Sequence, residues 1–90
     1  MTGLKLLQNK GFVFYEDSQF YIFERRDLGT ELFDQIKIKK DVKTFKCATY
    51  ILAKDDGYKE EAMTLDTTIL RAILDFVLEI GKKEKKDGQN

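Results

Sequence analysis

The residues best suited to chemistry are rings and cations that interleave along positions 19–53. Read with the two-residue period of a β-strand, Tyr21, Phe23, Arg25, Lys37, Lys39, Lys46 and Tyr50 form one set, which Phe33, Gln35, Ala48 and Leu52 extend. The alternate positions are apolar: Phe20, Ile22, Ile36, Ile38, Phe45, Cys47 and Ile51. The apolar set can form a core. The other set places rings beside positive charge, which suits a single-stranded nucleic acid. Bases stack on exposed rings for roughly 1–3 kcal/mol each, whatever the base. Lysine and arginine neutralise phosphates and release counterions. A plainer reading stands beside this one. Aromatics also pack in strands, lysines also solvate them, and Glu16, Glu24 and Glu31 dilute a positive field.

Other chemistry finds little support. The chain has no histidine, so the commonest general base is absent. Cys47 is the only cysteine, and its inward parity makes it a small core residue rather than a nucleophile. Asp55-Asp56 and Glu60-Glu61 lack the ordered ligand spacing of a calcium loop and read as a solvated turn. These features predict a non-enzymatic protein with neither metal nor cofactor. Lys and Arg total 16 and Asp and Glu total 16, so a general polyanion binder is disfavoured and only a local basic stripe remains.

Ninety residues predict one domain, over 1–81, followed by a charged and largely disordered tail over 82–90. Strands are predicted over 11–16, 19–26, 31–40 and 44–54, with turns at Asp17-Ser18, Asp27–Thr30, Asp41–Lys43 and Asp55–Gly57. Phe12 and Phe14 oppose Val13 and Tyr15, so the first strand is apolar on both faces. Residues 58–63 read as a charged loop or a brief strand, and residues 1–10 as a strand or an arm along the core. A helix is predicted over the apolar run 69–80. Asp66 is its N-cap, Leu65 and Leu70 have the spacing of a hydrophobic staple, and Gly81 ends it. The fold class is therefore α+β, a four-stranded antiparallel sheet followed by one helix on one of its faces.

The helix carries more apolar surface than one sheet needs. Ile69, Ile73, Phe76, Val77 and Ile80 lie on one side and Leu70, Leu74 and Leu78 form the next row, an arc of roughly 240° with Ala72. A helix on one sheet needs a stripe only somewhat over 100° wide. The excess predicts a homodimer paired through Leu70, Leu74, Val77 and Leu78. Alternatively, Leu4, Leu6 and Leu7 cover the second flank.

The join Ala62-Met63-Thr64-Leu65-Asp66, with Leu70 four places on, resembles the positive cofactor four-like single-stranded-DNA-binding family of transcriptional coactivators. The likeness spans roughly residues 11–81 in element order. Asp66 stands where the family has a serine cap. Ile69 replaces the family's acidic residue at the third helical position, and Leu70 replaces its aromatic. The resemblance implies a homodimer whose sheets form grooves for single-stranded DNA. Its contacts would fall on Tyr21, Phe23, Arg25, Lys37, Lys39, Lys46 and Tyr50.

The expected partner is single-stranded DNA or RNA. The alternative is a protein-interaction or inhibitor module from a phage or mobile element, acting through its apolar helix or a strand edge. No apolar stretch has the length of a signal peptide or a membrane span, and the lone cysteine suits a reducing, cytoplasmic setting.

Overall fold

The computed structural model describes residues 2–26, 31–53, 55 and 57–88, with side chains described as far as Lys82. The expected turn at Asp27–Thr30 lies outside the described residues, as do Lys54 and Asp56 of the next turn. A short helix, α1 (Gly3–Asn9), precedes five strands: β1 (Val13–Glu16), β2 (Phe20–Arg26), β3 (Leu32–Lys39), β4 (Phe45–Ala53) and β5 (Gly57–Ala62). A long helix, α2 (Thr67–Gly88), follows. The strands form one antiparallel meander in chain order, β1-β2-β3-β4-β5. Among the described residues, no helix is long and apolar enough to cross a membrane.

The strand that the sequence left open, β5, has every residue exposed. Burial does not create it. Its backbone pairs with β4, with Tyr50 opposite Glu60 and Leu52 opposite Tyr58. The sheet therefore has five strands where four were expected.

The phase of β2 is the main correction. Phe23 stands opposite Phe14 and Ile36, and Tyr21 opposite Ile38. The helix side thus takes Tyr21, Phe23 and Arg25, while Phe20 and Ile22 turn outward. Both parities of β2 are apolar, so hydrophobic transfer alone does not choose between them. The choice falls to α2, where the Phe76 ring meets Phe23 at 5.2 Å, Tyr21 at 5.4 Å and Phe14 at 5.8 Å. Strands β3 and β4 have the predicted phase: Ile36 and Ile38 are buried in the core, and Cys47 packs against it. Burial raises the pKa of the Cys47 thiol, which favours its protonated form.

Helix α2 begins as predicted. The Ile69 amide donates to Asp66 Oδ1 at 2.7 Å and the Leu70 amide to the Asp66 carbonyl at 3.0 Å. The Ile69 hydrogen bond, more than any nearby charge, holds the Asp66 carboxyl below its usual range. The helix does not stop at Gly81. It continues to Gly88, so Lys82–Gly88 extend it where a tail was expected. Lysine and glutamate are good helix formers and no proline intervenes.

Residues 3–9 are helical rather than a strand or an extended arm. Thr2 caps α1 by accepting from the Lys5 amide at 3.2 Å. Helix α1 lies on the Ala72 flank of α2, with Gly3 against the backbone of Ala72 and Phe76 and Leu7 wholly buried. It thus covers one flank of the wide apolar arc. Leu70, Leu74 and Leu78, on the opposite flank, remain 40%, 48% and 61% exposed. Val77 is half-buried against the chain's own core, so only part of the expected dimer set is free.

Candidate nucleic-acid interface

Both helices lie on one side of the sheet, and no described element lies over the other. That outer face carries Val13 and Tyr15 from β1, Phe20, Ile22, Glu24 and Arg26 from β2, and Phe33, Gln35, Lys37 and Lys39 from β3. Strand β4 adds Lys46, Ala48, Tyr50 and Leu52, and β5 adds Tyr58, Glu60 and Ala62. The register divides it into two ends with a polar seam between.

At one end Lys37 stands directly opposite Lys46, and Lys39 lies two residues along β3. The Lys37 ammonium sits 4.3 Å from the centre of the Phe20 ring. Phe20, Lys37, Lys39, Thr44, Phe45 and Lys46 line a shallow pocket of about 250 Å³. Residues 37–46 hold Lys37, Lys39, Lys40, Lys43 and Lys46 against a single acid, Asp41. Lysines thus outnumber acids along this stretch, although Glu16 pairs with Lys40 at 3.6 Å and Glu60 pairs with Lys46.

At the other end, rings cluster. Phe33 stacks on Tyr50 with centroids 5.1 Å apart, and Tyr58 meets Phe33 edge-on at 5.3 Å. The Arg26 guanidinium lies 4.6 Å over the Phe33 ring. Tyr50 donates its hydroxyl to Glu60 Oε1 at 3.1 Å, and Glu60 also pairs with Lys46. The Lys46 hydrogen bond leads in holding the Glu60 carboxyl low, while partial burial and then Glu60 push the Tyr50 phenol up.

The seam is Glu24. Its Oε2 accepts from the Tyr15 hydroxyl at 2.7 Å and from Gln35 Nε2 at 2.8 Å. Desolvation, aided by that carboxylate, raises the Tyr15 phenol to about 12.

Of the residues expected on this surface, the structure brings together Lys37, Lys39, Lys46 and Tyr50. It removes three. Phe23 is fully buried and Tyr21 packs under Phe76. Arg25 clamps the helix side: Nε and Nη2 donate to Asp34 Oδ2 at 3.2 and 2.8 Å, and Nη1 donates to the Lys10 carbonyl at 3.2 Å. Thr49 completes that clamp by donating to Asp34 Oδ1 at 2.6 Å. In their place the outer face gains Phe20, Arg26, Tyr15 and Tyr58. Phe20 and Arg26 follow from the opposite phase of β2, which the sequence does not decide. Tyr58 requires recognising β5 as a strand, and its segment carries only weak alternation.

Comparison with protein-family models, with curated proteins and with solved structures found no match. The functional reading therefore rests on the residues and geometry of this surface.

Proposed function

We propose that the protein binds single-stranded nucleic acid, DNA or RNA, on the outer face of its sheet, and does so as a homodimer. One observation carries the reading: an uncovered sheet face holds Lys37, Lys39, Lys46 and Arg26 on the same side as Phe20, Phe33, Tyr50 and Tyr58. Cations for phosphates and rings for bases are the two parts that sequence-tolerant strand binding needs. With a net charge of zero, the reading rests on the local excess of lysine over acid along residues 37–46. The resemblance to the positive cofactor four-like family adds support through the antiparallel sheet and the Asp66-capped helix. Helix α1 and the fifth strand lie outside that likeness.

Fluorescence anisotropy with labelled single-stranded oligomers tests the reading. Binding is expected to weaken with salt, and Lys37→Glu with Lys39→Glu is expected to remove most of it. Two lost phosphate contacts should lower the slope of log affinity against log salt by about 1.4. Absence of salt-sensitive binding at concentrations on the order of tens of micromolar rejects the proposal.

The dimer is supported by the Leu70, Leu74 and Leu78 stripe, and we assign a second copy of the chain to it. Antiparallel pairing about Leu74 sets Leu70 against Leu78 of the second copy, an isologous contact. On the rim it brings Arg71 of each helix within a turn of Asp75 of the other, so the charges complement. Sedimentation is expected to give a dimer for the parent protein and a folded monomer for Leu74→Arg. A parent protein that sediments as a monomer would transfer the stripe to a different protein and favour an interaction or inhibitor module.

A further inference from the structure

We infer that the pocket at the lysine end of the outer face seats one unstacked base of the bound strand, thymine in preference to the others, and that Phe45 belongs to the site. This rests on the strand-binding reading above and adds a base preference to it. The lining of the pocket is almost wholly apolar. The Phe20 and Phe45 rings supply it, and Lys37, Lys39 and Lys46 contribute their carbon stems. Two of the three charged heads are held by other groups. The Lys37 ammonium lies over the Phe20 ring at 4.3 Å, and the Lys46 ammonium pairs with Glu60. The interior therefore suits a flat apolar body rather than an anion. At about 250 Å³ it is smaller than the clefts of roughly 300–1,000 Å³ that take drug-sized ligands, a size for a single ring system.

The core does not use Phe45. It stands opposite Ile38, which is wholly buried, yet is itself 43% exposed and packs neither in nor against the core cluster. An exposed ring on a cationic surface is a stacking partner for a base. The β3–β4 turn fixes its place: the Lys39 amide donates to the Thr44 carbonyl at 3.0 Å, and the Val42 amide donates to the Lys39 carbonyl at 2.8 Å. Val42 is held at a φ of 55°, a left-handed conformation that its branched side chain disfavours. The turn is thus kept tight at a cost, and its tightness sets Thr44 and Phe45 beside Lys39. Strain of this kind clusters at ligand sites.

The polar atoms of the lining residues choose among the bases. Ammonium groups only donate, and the Thr44 hydroxyl donates or accepts. Glu60, an acceptor, is engaged by Lys46 and by the Tyr50 hydroxyl. Thymine offers carbonyl oxygens to donors and a methyl group to apolar walls. Adenine, cytosine and guanine each carry an exocyclic amine, for which the lining holds no carboxylate. Uracil has the carbonyls of thymine without the methyl. The pocket is continuous with the surface assigned to the strand, since Phe20, Lys37, Lys39 and Lys46 belong to both. Four residues of β3 separate Lys37 from Phe33, a run of about 13 Å. Bases further along the strand thus reach the Phe33, Tyr50 and Tyr58 rings.

The test compares, by fluorescence anisotropy, an oligothymidylate with the oligodeoxyuridylate of the same length, which differs only in lacking the base methyl. The parent protein is expected to bind the thymidylate about fourfold more tightly, the gain from burying one methyl group. Phe45→Ala is expected to weaken binding of both oligomers and to bring their ratio close to one. Phe45→Leu, which keeps apolar bulk without the ring, is expected to weaken both and to lower the ratio part of the way. Circular dichroism checks that each variant folds. If Phe45→Ala does not, the Phe45→Leu ratio decides, and a value equal to that of the parent overturns the pocket. Salt-sensitive binding with equal affinity for the two oligomers overturns the pocket and leaves the strand-binding reading intact. A preference that survives Phe45→Ala does the same, because it places the methyl on other rings. No binding of either oligomer rejects both.

Discussion

Gly3→Ala is expected to lower the stability of the protein by about 3 kcal/mol, through loss of the hydrophobic burial that α1 provides. A methyl group on Gly3 would lie 2.3 Å from the Ala72 carbonyl oxygen and 2.5 Å from the Phe76 amide nitrogen. Both are backbone atoms of α2 and cannot rotate away, so the helices must separate. Separation exposes Leu7 and loosens Phe12, which are 0% and 2% exposed in the native state. It also breaks the bond from the Gly3 amide to Glu79 Oε1, 3.1 Å long. Alanine favours helix over glycine by at most about 1 kcal/mol, so the clash decides the sign. In a domain of this size the loss corresponds to a fall in melting temperature of about 10–20 °C. Gly81→Ala is the control. It lies inside α2, and an added Cβ there meets nothing within 4 Å. It is expected to stabilise by roughly 0.5–1 kcal/mol. Thermal unfolding followed by circular dichroism checks both. An unchanged melting temperature for Gly3→Ala would mean that α1 does not hold this position.

Phe23→Ala and Phe20→Ala are expected to behave as opposites although the two residues are three apart on one strand. Phe23 is fully buried, its ring 4.9 Å from Phe14 and 5.2 Å from Phe76. Truncating it leaves a cavity in the aromatic cluster and is expected to cost about 3–5 kcal/mol. That is a large share of a total stability of roughly 5–13 kcal/mol for ninety residues. Phe20 lies on the outer face beneath Lys37, and its loss is expected to cost about 1 kcal/mol, mainly the cation–π contact. Urea unfolding midpoints measure the difference. A costly Phe20 and a tolerant Phe23 would restore the strand phase read from the sequence. The same pair separates stability from function, because Phe20→Ala is expected to weaken oligonucleotide binding in a protein that remains folded.

The site was legible where polar and apolar residues alternate. On β3, Ile36-Lys37-Ile38-Lys39 permits only one phase, since turning two lysines into the core would bury two charges. Strand β4 follows by pairing, with Lys46 opposite Lys37 and Tyr50 opposite Phe33. On β2 both phases bury aromatic or aliphatic residues, so alternation alone does not reveal that Tyr21, Phe23 and Arg25 face the helices. Arg25 is accepted on the inner side because Asp34 and the Lys10 carbonyl receive its guanidinium.

What the sequence determined by itself is therefore local and periodic: the α+β class, the strands over 19–53, the core phase of β3 and β4, and the Asp66 cap of α2. These follow from repeats of two or 3.6 residues and from a single capping side chain, which act over short stretches of chain. What only the tertiary structure decided depends on contacts between distant segments. Helix α1 has seven residues, too few to be stable alone, and exists through Gly3 and Leu7 against α2. Strand β5 buries no side chain and exists through its backbone bonds to β4. The phase of β2 is set by Phe76, more than fifty residues away, because near-equal burial energies leave the choice to the shape of the packed core.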